Sequence, residues 1–295
     1  MNGILLVDKP ADWTSHDVVA KLRGVLGERR MGHSGTLDPM ATGLLVVFAG
    51  RATRAVSFSE NHSKCYEARL RLGLTTDTQD TTGTVLSRCD RRVTRAELEA
   101  VLPQFRGDIL QVPPMYSALK VDGKKLYEIA RRGGEVAREA RPITIEELTV
   151  LGEADGDYVL RVRCSKGTYI RTLCHDIGAA LGCGGCMSSL RRTRAGSFTL
   201  AQAVTMQQVL DFAAGQDPQQ LLMPVDAVFA AHPPLIVTLG QAAKLKNGAQ
   251  VKDWQFQPGT YRVYAEDGEF LLLGRVEGGV LTTIKSFFEV NTLGT

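Results

Sequence analysis

The sequence lacks long hydrophobic runs. Its longest apolar stretches, residues 4–7 and 44–49, are far shorter than the roughly 20 residues that a membrane-spanning helix needs. It also lacks the pattern of a secretory signal, because Asp8 and Pro10 interrupt the first of these stretches. With 44% hydrophobic and 23% charged residues, the composition predicts a globular protein of the cytoplasm without a membrane partner.

Cysteine is scarce, and charge is nearly balanced. The six cysteines are scattered along the chain, which predicts reduced thiols instead of a disulfide scaffold. A net charge of +3 and a pI near 8.5 neither demand nor exclude nucleic acid. Basic residues collect in short clusters that fit either solvated surfaces or phosphate contacts: Arg29-Arg30, Lys120 with Lys124-Lys125, Arg131-Arg132 and Arg191-Arg192-Arg194.

A chain of 295 residues predicts about two domains. Strand-like segments come in runs and do not alternate regularly with helices, which is typical of an α+β fold. We therefore expect a mixed, largely antiparallel sheet with flanking helices in residues 1–230. In residues 231–295, turn signals at 266–268 and 278–279 predict a small β-rich, barrel-like domain.

Local patterns indicate several elements. Ser15 is placed to cap a helix that Gly27 ends. Residues 28–43 show no period and predict a long irregular loop, and loops of that length are often functional. The alternation in residues 66–72 predicts a half-buried strand, and the capping box at 94–97 predicts a helix.

The loop at residues 32–43 is the most informative stretch. Its glycines let backbone approach a bulky partner, and Pro39 favours an extended Asp38. The Asp38 carboxylate could serve as a nucleophile, a general base or a metal ligand, and an ordinary turn also fits these residue types. Neither a phosphate-binding loop nor a dinucleotide fingerprint is present in the sequence.

Residues 32–43, which read Gly-His-Ser-Gly-Thr-Leu-Asp-Pro-Met-Ala-Thr-Gly, resemble the signature of the TruB-type tRNA pseudouridine synthases. Four further blocks resemble that family in the same order: residues 7–10 with 14–15, 71–78, 114–120 and 165–171. The resemblance runs from about residue 3 to about residue 200. Beyond it, the C-terminal segment is similar to the family's PUA-like domain in size and strand pattern alone.

This resemblance implies an isomerase that converts a uridine in tRNA to pseudouridine with an essential aspartate and neither metal nor cofactor. Asp38 matches that aspartate, and attack at C1′ of the sugar or at C6 of the base both remain open. Arg171 matches the arginine that pairs with it and keeps it ionised. Because a base inside folded RNA must be flipped out, the resemblance assigns Tyr66 to stacking on it.

The resemblance also implies further contacts around the pocket. Tyr169 and Leu190 would line it, and simple core packing is the competing explanation for both of them and for Tyr66. His33 would fill the space that flipped nucleotides vacate. Lys9, Pro10 and Lys120 match family positions near the pocket. Asp80 matches a family position that contacts RNA.

Three departures and one alternative site deserve mention. Ser34 and Met40 are mild exchanges within the signature, whereas Cys186 stands where relatives often have histidine, which questions an RNA contact there. Cys183 and Cys186, with Cys174-His175 upstream, are also candidates for a zinc or redox site, although a second full ligand pair is missing.

The resemblance thus implies a stand-alone enzyme that modifies uridine 55 in the T-arm of tRNA without a guide RNA, and we expect it to be a monomer. The short N-terminus and the long middle segment, residues 74–160, favour this over the RNA-guided subunit of box H/ACA particles. A third alternative is a tRNA-binding or remodelling protein with secondary catalysis.

Overall fold

The computed structural model describes residues 1–121, 123–253 and 255–288. The strands are β1 (Gly3–Lys9), β2 (Met31–Ser34), β3 (Thr42–Ala49), β4 (Lys64–Leu72), β5 (Leu74–Thr76), β6 (Val85–Arg88), β7 (Gly107–Gln111), β8 (Lys120–Val121), β9 (Lys124–Lys125), β10 (Arg141–Ala154), β11 (Asp157–Cys164), β12 (Gly185–Ala195), β13 (Phe198–Thr199), β14 (Val204–Thr205), β15 (Pro234–Val237), β16 (Val251–Lys252), β17 (Gly259–Ala265), β18 (Phe270–Glu277) and β19 (Val280–Ser286). The helices are α1 (Ser15–Leu26), α2 (Val56–Glu60), α3 (Arg95–Val101), α4 (Leu126–Ala130), α5 (Ile170–Ala180), α6 (Met206–Gly215) and α7 (Leu239–Lys246), with short 3-10 helices at Gly50–Ala55, Leu102–Phe105, Leu200–Gln202, Pro218–Leu221 and Val225–Phe229.

A large mixed sheet forms the centre of the fold. Its strand order is β14-β1-β3-β12-β4-β11-β10-β7, with β2 paired to β3 and β13 paired to β12. Two pairs, β1 with β14 and β12 with β3, are parallel, and the other pairs of this sheet are antiparallel. The α+β prediction with a largely antiparallel sheet is confirmed.

Strand β4 shows why the alternating pattern predicted a half-buried strand. Tyr66, Ala68 and Leu70 point into a core cluster, whereas Glu67 and Arg69 on the opposite face are only partly covered. Each strand residue turns its side chain to the face opposite its neighbour, so one face becomes apolar. The face that carries Tyr66 is the one on which the candidate site is built.

Helix α1 begins one residue earlier than the predicted cap at Ser15 implies. Thr14 is the N-cap and forms a capping box with Asp17, while Gly27 ends the helix in a left-handed conformation as predicted. The prediction of Ser15 as the cap is wrong, because its hydroxyl is buried and is used elsewhere. The predicted irregular loop also contains a strand, β2, because Met31–Ser34 pairs with β3 and leaves a shorter loop at residues 35–41.

The parallel pairing of β12 with β3 fixes the end of that loop. Arg192 lies opposite Gly43, and the backbone approach is so close that a Cβ on Gly43 would lie 2.4 Å from the Arg192 carbonyl oxygen. Gly43 also has φ of 99°, which side chains disfavour. The loop at residues 35–41 is therefore held against β12, and α5 packs on the same strand.

A second sheet of five strands, ordered β15-β17-β18-β19-β16, follows the first, and its hairpin turns lie where the sequence predicted them. The C-terminal β-rich region is thereby confirmed. An aromatic cluster joins it to the first sheet through Phe58, Phe229, Phe270 and Phe287, with ring centroids 5.3 to 6.4 Å apart. The division at residue 230 and the likeness to a PUA domain stay predictions. Among the described residues, none of the helices is long and apolar enough to span a bilayer.

Candidate active site

A cavity of about 930 Å³ opens beside the loop at residues 35–41. Its walls come from that loop, from strands β4 and β12, from the segment after β5 and from the N-terminal end of α5. Six of the residues that the sequence singled out line it: Asp38, Tyr66, Asp80, Tyr169, Arg171 and Leu190. These residues are up to about 150 positions apart in the chain, so tertiary structure alone brings them together.

Asp38 and Arg171 form a two-pronged ion pair at the edge of the cavity. The Arg171 Nε lies 2.9 Å from Asp38 Oδ2, and Nη2 donates to Oδ1 at 3.2 Å. The planar guanidinium thereby sets the orientation of the carboxylate. The Asp38 side chain is 35% exposed and the Arg171 side chain only 7%, so the carboxylate faces the cavity while its partner is held behind it.

Arg171 is itself fixed by groups from two other segments. Its Nη1 donates to the Thr78 carbonyl at 3.1 Å, and its Nη2 donates to the Tyr116 carbonyl at 2.8 Å. Asp80 lies 3.8 Å from Nε as a second, weaker carboxylate neighbour. Because every arm of the guanidinium has an acceptor, it has little freedom to leave Asp38.

Asp80 is more constrained than an RNA contact on an open surface would require. Its Oδ1 accepts from the hydroxyls of Thr78 at 2.8 Å and Thr82 at 2.6 Å and from the Thr82 amide at 2.9 Å. The residue is 5% exposed. In this structure Asp80 supports the Arg171 guanidinium, and its predicted contact with RNA stays a prediction.

Two buried side chains hold the Asp38 loop in place. The Ser15 hydroxyl accepts from the Leu37 amide at 2.9 Å. Lys9 is fully buried and donates from Nζ to the carbonyls of Pro10, Trp13 and Pro39 at 2.8, 2.6 and 3.1 Å. Burial lowers the pKa of Lys9 to about 8. Lys9 therefore clamps the residue after Asp38.

Three predicted site residues, Lys9, Pro10 and His33, stand outside the described lining of the cavity. His33 packs edge-on against His16 with ring centroids 5.4 Å apart, and His16 does line the cavity. Burial lowers the pKa of His33 to about 4, with His16 and Arg192 adding to the effect. Lys120 lies in β8, and its side chain is outside the part of the chain that the structure describes.

The two tyrosines and Leu190 supply the apolar walls. Burial raises the pKa of Tyr66 and of Tyr169, so both phenols stay neutral. The backbone of Tyr169 is tied on both sides to the Gln111 amide, which accepts from its N–H at 2.8 Å and donates to its carbonyl at 3.0 Å. Leu190 lies opposite Ala68 on the neighbouring strand and is 5% exposed. Their roles toward a base stay predictions.

The predicted site residues did not include two buried basic residues of the cavity wall, Lys64 and Arg192, although Arg192 belongs to a basic cluster seen in the sequence. Lys64 precedes Tyr66 by two positions and Arg192 follows Leu190 by two, so the alternation of each strand could have placed them on the cavity face. The interpretation of the arginine cluster as a solvated surface is wrong for Arg192, which is 1% exposed. Its neighbour Arg191 faces the other way and pairs with both oxygens of Asp8 at 3.2 and 2.7 Å.

The alternative zinc site receives no support. Across residues 1–121, 123–253 and 255–288, no group of three or more His, Cys, Asp or Glu side chains is arranged to hold a metal ion. Burial raises the pKa of the Cys186 thiol to about 11 and raises that of Cys174 as well, which disfavours the thiolates that zinc needs. The Cys183 thiol points to the carbonyls of Gly178 and Gly184.

The fold has solved counterparts. A Cbf5-Nop10-Gar1 complex contains a chain with 27% sequence identity and a TM-score of 0.74, and the superposition covers 97% of this chain and 85% of that one. The architecture described above is therefore shared with that chain over most of its length.

Sequence comparison identifies the family. The model of the TruB family pseudouridylate synthase N-terminal domain matches residues 23–170, and that of the tRNA pseudouridylate synthase B C-terminal domain matches residues 171–230. A tRNA pseudouridine synthase B of Azoarcus sp. (strain BH72) is 45% identical over 281 residues, covering 95% of this chain and 93% of that protein. Another, of Clostridium kluyveri, is 39% identical over 292 residues, covering 97% and 100%. The chain belongs to the TruB family of pseudouridylate synthases.

Proposed function

We propose that this protein is a stand-alone tRNA pseudouridine synthase that isomerises uridine 55 in the T-loop of tRNA. The observation that carries this proposal is the Asp38 carboxylate, which faces a cavity of about 930 Å³, large enough to admit a nucleotide, while a buried Arg171 holds both of its oxygens. Relatives of nearly the same length that are named tRNA pseudouridine synthase B support the choice of tRNA.

In the proposed reaction Asp38 is the nucleophile. Its carboxylate oxygen bonds either to C1′, displacing N1, or to C6 of the base, after which the C1′–N1 bond breaks. The ring then turns and C5 bonds to C1′. The bond to Asp38 breaks, which restores the carboxylate, and the proton on C5 leaves to solvent. The ion pair with Arg171 holds the carboxylate in one orientation, and the proposed reaction uses neither a metal nor a cofactor. Tyr66 and Leu190 supply apolar surface for the flipped base, which replaces the stacking lost from the RNA.

Exposed cations are available for contacts with RNA phosphates. Arg29, Arg30 and Lys124 are exposed. Affinity for tRNA should therefore fall steeply with salt, because each phosphate contact releases counterions. A titration of binding against salt concentration measures this, and a flat response would contradict a surface that tracks phosphates.

One observation supports the alternative of an RNA-guided subunit, namely the fold shared with the chain of the Cbf5-Nop10-Gar1 complex. Greater identity to the stand-alone relatives favours independent action. We further propose that the protein is a monomer and works in the cytoplasm, where its tRNA substrate is found. Binding or remodelling of tRNA would then accompany catalysis.

The deciding experiment incubates the purified protein, without guide RNA, with a T-arm stem-loop carrying tritium at uridine C5. Tritium is released when C5 becomes bonded to C1′, so release reports isomerisation. Release by the protein alone supports the proposal. Tight binding of the stem-loop without release would favour the guided or purely RNA-binding alternatives.

A further inference from the structure

Lys64 and Arg192 are two buried cations on one wall of the Asp38 cavity. They belong to adjacent antiparallel strands, in which Tyr66 lies opposite Arg192. Lys64 is 8% exposed and Arg192 is 1% exposed, and both contribute to the cavity lining. Neither matches a role that the family resemblance supplied, and neither is needed for the Asp38–Arg171 pair.

Gly35 brings the signature loop directly onto these cations. It has φ of 72°, and a Cβ at this position would lie 3.2 Å from Arg192 Nη1 and 3.7 Å from Lys64 Cε. A side chain here would therefore be both strained and crowded. Because Gly35 has no side chain, the two cations lie next to the backbone of the loop that carries Asp38.

Both cations keep unused hydrogen-bonding capacity. Lys64 Nζ donates to the carbonyls of Glu60 at 2.6 Å and His62 at 2.7 Å, which leaves its third N–H. Arg192 Nε donates to the Leu44 carbonyl at 2.7 Å, while its buried Nη2 has no partner. Among the described residues, no carboxylate lies within 4 Å of either group.

A buried cation without a counter-charge is unfavourable unless a ligand supplies the acceptor. The position of these cations decides which acceptor that is. They line the cavity beside Tyr66, the residue proposed to stack on the flipped base, and both are nearly fully buried, whereas phosphates of a bound RNA would stay closer to solvent. The missing acceptor is therefore an oxygen of the base.

We propose that Lys64 and Arg192 bind a carbonyl oxygen of the flipped uracil and stabilise the negative charge that the ring gains during the reaction. This inference rests on the proposed function. If Asp38 attacks C1′, the electron pair of the broken C1′–N1 bond enters the ring and spreads to O2 and O4. If Asp38 attacks C6, the electrons of the C5–C6 double bond move to O4 as an enolate. Charge on O4 rises in both routes, so the cations favour either transition state over the ground state.

The test uses single-turnover tritium release with enzyme in excess over the labelled T-arm stem-loop. Lys64→Gln keeps a donor for the two carbonyls but removes the charge, and Lys64→Arg keeps both. We expect Lys64→Gln to lower the rate about a hundredfold with little change in stem-loop affinity, and Lys64→Arg to stay within about tenfold of the wild type. Lys21→Gln, on the exposed face of α1, is the matched control.

A pH series separates charge from packing. Burial lowers the pKa of Lys64 to about 8, and the groups facing it are Arg192, Lys166, Glu60 and the Cys164 thiol. The ratio of the wild-type rate to the Lys64→Arg rate should therefore fall as pH rises from about 7 to about 9, because arginine stays charged. Lys9 loses its proton in the same range in both proteins, so its effect cancels in the ratio.

Each outcome is decisive. An unchanged rate in Lys64→Gln, or a ratio that does not vary with pH, overturns the proposal. A variant that loses stem-loop affinity and salt dependence while its rate at saturation is retained would identify a phosphate contact instead, and would also overturn it. If Lys64→Gln fails to fold, the pH ratio still decides. A wild-type protein that releases no tritium refutes the proposed function itself, which is a different result.

Discussion

The two sheets bury different kinds of side chain. In the described chain, every buried charged residue belongs to the part before residue 193: Lys9, Lys64, Asp80, Asp157, Arg171 and Arg192. The core of the second sheet is made of apolar residues such as Val263, Leu272 and Leu281. Both regions are built from β-strands with similar alternation, so strand pattern does not explain the contrast.

The contrast shows where chemistry is located. Burying a charge is costly, and it persists where partners or ligands compensate for it. Five of the six buried charges in the first region line the Asp38 cavity or brace the loop that carries Asp38. Among its described residues, the second sheet buries no charged side chain. This fits a region that stabilises the first sheet or extends its surface. Four predictions test this contrast, from the largest expected effect to the smallest.

Asp38→Asn should lower tritium release by at least about a thousandfold, because an amide cannot replace the carboxylate as nucleophile. Affinity for the stem-loop should remain near that of the wild type. Asp155→Asn is the matched control, since Asp155 is 80% exposed and asparagine tolerates its left-handed backbone. Turnover retained in Asp38→Asn would exclude this residue as the nucleophile. The buried charges of the first region would then not be explained by a reaction at Asp38.

Phe287→Ala should lower the free energy of unfolding by about 3 kcal/mol, because Phe287 is buried between the two sheets and stacks on Phe270. Chemical denaturation measures this. Ile236→Ala, at a residue that is 68% exposed, should change stability by less than about 0.5 kcal/mol. A loss below about 1 kcal/mol for Phe287→Ala would mean that the two sheets are energetically independent.

The buried ionisable groups should make the stability of the first region depend on pH. His33 has a folded pKa of about 4 against 6.5 when unfolded, because of its burial. Between these values the unfolded chain binds the extra proton, so stability is present above about pH 6.5 and is lost as pH falls toward about 4, by up to about 2 kcal/mol. Denaturation at several pH values should show a flatter profile for His33→Gln than for the wild type. Parallel profiles would show that His33 contributes nothing to acid sensitivity.

The second sheet offers exposed cations at Lys252 and Lys285. If it extends the RNA surface, Lys252→Gln with Lys285→Gln should weaken tRNA binding several-fold and reduce the salt slope by about 1 per lost contact. The rate at saturating enzyme should not change. Binding and slope equal to those of the wild type would restrict the RNA surface to the first region.

Much of the fold could be predicted because it follows from local patterns. The period-2 alternation of β4, the capping box before α3 and the turns of the second sheet each depend on neighbours a few residues away. The errors arose where local rules compete. Thr14 and Ser15 are both good caps, and Thr14 is chosen because Ser15 is needed to hold Leu37. Strand β2 is short and has no period, so pairing with β3 was needed to reveal it.

The candidate site divides in the same way. Asp38 belongs to a sequence motif that can be recognised without the structure, and its partner Arg171 belongs to another. The cluster Arg191-Arg192-Arg194, in contrast, predicted no separate roles by its composition, and alternation from Leu190 was the only local signal that set Arg192 apart. Arg191 pairs with Asp8 and Arg192 is buried beside Tyr66, because β12 lies between β3 and β4 in a particular register.

The sequence alone determined the residue types available for chemistry, the order of strands and helices along the chain and the loop that presents Asp38. The tertiary structure decided which cations face the cavity, that Asp80 braces Arg171 and that Lys9 clamps the loop from beneath. The physical reason is the separation along the chain between the residues that interact. Helix caps and strand alternation depend on neighbouring residues, whereas burial and the pairing of charges depend on strand register between segments far apart in the chain.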